Sequence, residues 1–136
     1  MGRRVGFATL LAVAGLVWVA AGIPARAHHS FAAEFDADKP VSVQGVITQV
    51  RLENPHSWFF IDVTNARGQI EKWSFEGSTP TSLIRSGVKP GTIKAGDVVT
   101  IRGYHARDMT VNVGAAREIV MADGRSFAVG PAFGGR

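Results

Sequence analysis

The chain has 136 residues, 46% of them hydrophobic and 19% charged, with 15 basic and 11 acidic side chains and no cysteine. This is the composition of a globular protein with room for one domain, and the lack of cysteine excludes disulfides, thiolate metal sites and a lipid-modified N-terminal cysteine. Arg3, Arg4 and Arg26 fall within the first 27 residues, so the rest carries 12 basic against 11 acidic side chains, too even a balance for nucleic-acid binding, which draws its affinity from neutralising phosphate.

Residues 1–27 carry the parts of a secretory signal: Gly2 to Arg4 as a basic start, Val5 to Gly22 as an apolar run, and Pro24-Ala25-Arg26-Ala27 as a small-residue cleavage site of A-x-A type. The expectation is a periplasmic or secreted protein whose mature chain begins at His28, with membrane contact only through the signal segment before cleavage. The competing reading is an uncleaved anchor, since the run approaches spanning length.

From His28 to Pro40 there is no strand pattern, and Phe31 and Phe35 lie four apart, as in one helical turn or an arm pinned by two aromatics. Val41 to Leu52 then alternates as a strand whose phase changes at Gly45, which predicts a bulge or bend there. Asn54-Pro55 breaks the chain, and the second strand, Trp58 to Thr64, places Phe59, Ile61 and Val63 on one face and Trp58 and Phe60 on the other. Asn65 to Gly68 predicts a hairpin turn into a third strand, Gln69 to Glu76, with Trp73 and Phe75 facing the core. Ser78-Thr79-Pro80-Thr81 caps a short helix that Gly87 stops. A fourth strand is expected over Val98 to Tyr104 and a fifth over Val111 to Met121, broken near Gly114. The Gly/Pro-rich residues 130–136 form a tail.

Three strands, one helix and two strands, with a glycine in the bent first strand, predict a mostly β domain at residues 41–129. Its expected form is a small OB-like five-stranded antiparallel barrel with one short helix between strands 3 and 4. Residues 28–40 form its N-terminal arm.

His28-His29-Ser30-Phe31, Glu34-Phe35-Asp36, Asn54-Pro55-His56, Trp73 with Glu76-Gly77, and Gly96-Asp97 together resemble a family of small exported bacterial proteins catalogued as a domain of unknown function. The resemblance covers essentially the whole mature chain and implies export and a single domain, but supplies no activity. Gly87-Val88 stands where family members often have Gly-Trp, and His105 lies outside the shared pattern.

All four histidines, His28, His29, His56 and His105, fall in predicted loops or the arm. A mature His28 offers its α-amine and its imidazole, and a cysteine-free, nitrogen-rich set suits Cu(II), Ni(II) or Zn(II). In an OB barrel the loops after strands 1 and 4 flank one surface, which puts His56 and His105 on a common rim. The 12 steps from His28 to Pro40 span about 40 Å extended but about 18 Å as a helix, so convergence of all four requires the arm to run back along the barrel. Exposed polar histidines without a ligand, or a buried His56 fixing the Asn54-Pro55 bend, are the alternatives. Trp58, Phe60 and Asn54 mark a ligand-binding surface where bases or sugars stack, unless Phe31 and Phe35 cover it.

Glu76 and Asp62 lie near the sheet without a spaced carboxylate partner for acid/base chemistry, and the chain carries no nucleophile elbow, phosphate loop or H-E-x-x-H. The expected function is therefore a non-enzymatic exported binding module with a His-based Cu(II) or Zn(II) site. The alternatives are a metal-free module that binds an envelope protein or a saccharide and, third, a small copper redox enzyme.

Overall fold

The computed structural model describes residues 31–130. The predicted signal segment, His28, His29 and residues 131–136 of the predicted tail lie outside the described residues. Among the described residues no helix is long and apolar enough to cross a membrane.

A four-residue helix, α1 (Phe31–Glu34), leads directly into β1 (Phe35–Arg51), followed by β2 (Trp58–Thr64), β3 (Ile70–Glu76), α2 (Pro80–Arg85), β4 (Val98–Ala106), β5 (Val113–Met121) and β6 (Ser126–Ala128). The strands form one sheet in the order β3-β2-β1-β4-β5-β6, with a further pairing of β3 to β5. That last pairing is parallel, over Ser74–Val113 to Glu76–Ala115, and the others are antiparallel. The protein is thus mostly β, with six strands where five were expected.

The first strand starts earlier than the sequence predicted, at Phe35 rather than Val41. Pro40 does not end the arm. It sits inside β1 opposite Tyr104, just past an irregular stretch in the β1–β4 register where Asp36 Oδ1 accepts from the Asp38 amide at 3.1 Å; irregular or bulged strand is where a residue without an N–H is tolerated. The predicted bulge also moves: the β1–β2 register shifts between Ile47 and Gln49, not at Gly45. Gly45 answers a different need, because a Cβ there would lie 2.4 Å from the Asp62 carbonyl oxygen. The backbones of β1 and β2 touch at this point.

Alternation then sorts the side chains as expected. Phe59 and Ile61 of β2 and Phe75 of β3 are buried with Ile47, Ile101 and Ile119, and Trp73 packs against them. The β2–β3 turn is held by Asn65, whose Oδ1 accepts from the amides of Arg67 and Gln69 at 2.9 and 3.0 Å. Helix α2 begins as predicted, with Thr79 as N-cap accepting from the Ser82 amide at 3.2 Å and Pro80 in its first turn. Its buried Leu83 joins the core. The sixth strand follows the Asp123-Gly124 turn and pairs with β5 over Glu118 to Val120; at three residues it is too short for an alternation pattern to announce it.

A second irregularity lies in β5, where Arg102 and Gly103 of β4 face Glu118 and Ala116, leaving Arg117 as the extra residue. A Cβ on Gly103 would stand 1.9 Å from the Ala115 carbonyl oxygen, which is backbone and cannot move aside. Gly103→Ala should lower unfolding free energy by about 3 kcal/mol, the upper end of the usual cost of overpacking, read as a fall in the urea midpoint; an unchanged midpoint would contradict this close approach.

Candidate functional site

The β2–β3 register pairs Trp58 with Glu76, and the β3–β5 register pairs Glu76 with Ala115, which in turn faces Tyr104 of β4. The loop before β2 (residues 52–57) and the loop between β4 and β5 (residues 107–112) are thereby drawn to one rim, and the Ser74 amide donates to the Asn112 carbonyl across it at 3.1 Å.

His56 lies on that rim, 48% exposed, with Nδ1 3.2 Å from Oε1 of Glu76, whose own side chain is only 16% exposed. It is not the buried, bend-fixing ring considered above. Asn54 is exposed on the same loop, in the cis Asn54–Pro55 peptide.

The N-terminal turn arrives at the same place. Arg107, first residue after β4, donates its amide to the Glu34 carbonyl at 2.9 Å and its Nε to the Ala32 carbonyl at 2.5 Å. Phe31 stacks on Phe35 with ring centroids 5.4 Å apart and meets Tyr104 edge-on at 5.8 Å. Phe35, Ala106 and Ala115 form a small cluster, separate from the main core, against which Phe31 and Val113 pack. Each charge-assisted or apolar contact of this kind contributes on the order of 1 kcal/mol, and together they clamp α1 to the rim. The two phenylalanines therefore pack beside Tyr104.

The clamp brings Glu34 close enough to Glu76 to act on its charge. Burial pushes the Glu76 carboxyl above the usual range, His56 pulls it down, and the Glu34 carboxylate pushes it up again. Spacing alone does not pair these two carboxylates, because they meet only through β4 and β5.

His105 does not belong to the rim. It lies within β4 rather than in a loop, is buried, meets Trp73 edge-on with centroids 5.4 Å apart and has Nδ1 2.8 Å from the Ala106 carbonyl oxygen. The strand runs two residues past its predicted end at Tyr104, and this turns the ring inward. Among the described residues no three His, Asp or Glu side chains group closely enough to hold a metal ion by themselves. His28 and His29 lie outside the described residues.

Trp58 and Phe60 are half-buried on the outer side of β2, their rings inclined by 26° with centroids 6.4 Å apart. Arg51 of β1, held by Glu53 at 2.6 Å, sets its guanidinium 5.5 Å from the Phe60 ring centroid.

Fold and rim define a small β domain with a histidine–carboxylate pair beside an aromatic sheet face. The chain belongs to the family of unknown function DUF6152, whose sequence model matches residues 16–115. No curated protein and no solved structure matches it.

The folded state binds the Glu76 proton more tightly than the unfolded chain does. Its contribution to stability is therefore complete at low pH and is lost as pH rises through its raised value. Glu76→Gln should accordingly melt above the wild type at pH 7, with the gap closing as pH falls to about 4, since the exposed partner His56 gives back little; a variant that melts lower at pH 7 would show that the His56 contact outweighs burial.

Proposed function

We propose that the mature chain, starting at His28, is an exported OB-like binding module that holds one Cu(II) or Zn(II) ion at the rim shared by α1, the Asn54-Pro55-His56 loop and the end of β3. The fold reading is supported by the circuit of pairings β1–β2–β3–β5–β4–β1, by the parallel β3–β5 contact that closes it, and by α2 standing between β3 and β4, the arrangement of an OB barrel.

One observation carries the metal reading: the Arg107 clamp places α1 beside the His56–Glu76 pair. The arm does not have to run back along the barrel. His28 is three residues from Phe31, and that length of chain spans about 10 Å when extended, so the α-amine and the imidazoles of His28 and His29 have the reach to join His56, with Glu76 as a carboxylate at the edge. Such nitrogen-rich donors select Cu(II) over Zn(II) in affinity. The histidines bind in their neutral form, so acid releases the ion.

This reading makes the protein a binder rather than an enzyme and makes His105 a packing residue. Isothermal titration of the protein beginning at His28 should show one tight Cu(II) site, weakened about tenfold or more, roughly 1.4 kcal/mol, by one added N-terminal residue and again by His56→Ala. Titration that both changes leave unaltered would overturn the site.

A further inference from the structure

We propose that the outer face of β2, with Trp58 and Phe60 at its centre, binds a β-1,4-linked glycan chain, a second ligand whose site borders the metal rim at Glu76. The face is built by register: Arg51 stands opposite Trp58 and Gln49 opposite Phe60 on β1, while Glu76 and Ser74 flank the same two residues on β3. Directly opposed residues of antiparallel strands share a face, so two nearly parallel aromatic rings are framed by an amide, a guanidinium, a carboxylate and a hydroxyl.

The hydrogen-bonding groups here are open. The indole N–H of Trp73 is buried without a partner, but that of Trp58 is solvent-accessible and takes no partner among the described residues. Gln49 is exposed, and its amide is likewise unpartnered among the described residues. Arg51 is already fixed in place by Glu53 and Phe60, so its remaining N–H groups are offered at little further entropic cost.

Three features select the ligand. Pyranose rings present flat C–H faces that stack on aromatic rings and hydroxyls that pair with planar amide, guanidinium and carboxylate groups, and β-1,4 linkage keeps successive rings in an extended ribbon. A nucleic-acid strand is disfavoured because the basic groups here are matched by carboxylates, Arg51 by Glu53 and Lys72 by Asp62, with Glu76 adding another, which leaves no surplus positive charge for phosphate. A peptide adding itself as a strand finds no edge, since β2 is paired on both sides, by β1 and β3.

The test is titration of the metal-free protein, in chelator, with chitotetraose and cellotetraose, followed by tryptophan fluorescence and amide chemical shifts, with a four-nucleotide oligothymidylate alongside. Saturable binding of at least one tetrasaccharide, weakened about tenfold in Trp58→Ala and several-fold in the surface variant Gln49→Ala, with shifts at Phe60 and Ser74, is the expected result. Gln49→Ala leaves the core untouched and serves if Trp58→Ala fails to fold. Absence of binding to both glycans, binding indifferent to both variants, or preference for the oligonucleotide would overturn the proposal. The chelator keeps this outcome separate from that of the metal site.

Discussion

The structure depends on one long strand serving two partners. Over its first twelve residues β1 pairs with β4, and from Val46 onward with β2. Seventeen residues cannot change partners without curving, and two devices supply the curve: the shift between Ile47 and Gln49, which bends the strand locally, and Gly45, which lets the β2 backbone come within contact distance. Once β1 is curved, β3 comes close enough to β5 for the parallel contact at Ser74 to Glu76, and Phe59, Phe75, Ile101 and Ile119 acquire a common interior.

The rim follows from that closure. His56, Glu76, Arg107 and Glu34 come from a loop, a strand end, a second loop and the N-terminal turn, and no two of them are close in sequence. Through the β3–β5 pairing they become neighbours, and Arg107 then fastens α1 by two of its backbone carbonyls. The half-buried Glu76 is the electrostatic centre of the cluster. It is desolvated by the sheet, attracted by His56 and repelled by Glu34.

Much of this was legible in the sequence, and the remainder has identifiable causes. The alternation at Trp58 to Thr64, the Asn65 to Gly68 turn and the Thr79-Pro80 cap are local signals, and each element formed where they pointed. The hairpin turn even fixes the register, since pairing Thr64 with Ile70 forces Trp58 opposite Glu76; the partner of His56 was within reach of that count. The Glu34–Glu76 approach was not, because it passes through β4 and β5. The start of β1 was hidden because Asp36, Asp38 and Lys39 are polar, the register is irregular between Phe35 and Pro40, and Pro40 suggests an ending. A histidine one residue beyond the predicted strand end at Tyr104 reads as polar surface, whereas β4 continues to Ala106 and buries His105 against Trp73.

The central claim is that the N-terminal turn and the Asn-Pro-His loop make one site. The most direct measurement is paramagnetic broadening of amide signals in the 15N-labelled protein beginning at His28, with substoichiometric Cu(II) added stepwise. The account predicts that Glu34, His56 and Glu76 broaden together at the first additions, with Arg107 close behind and the distant Asn65 to Gly68 turn unaffected. Broadening confined to the residues next to the N-terminus, with His56 and Glu76 sharp, would contradict it.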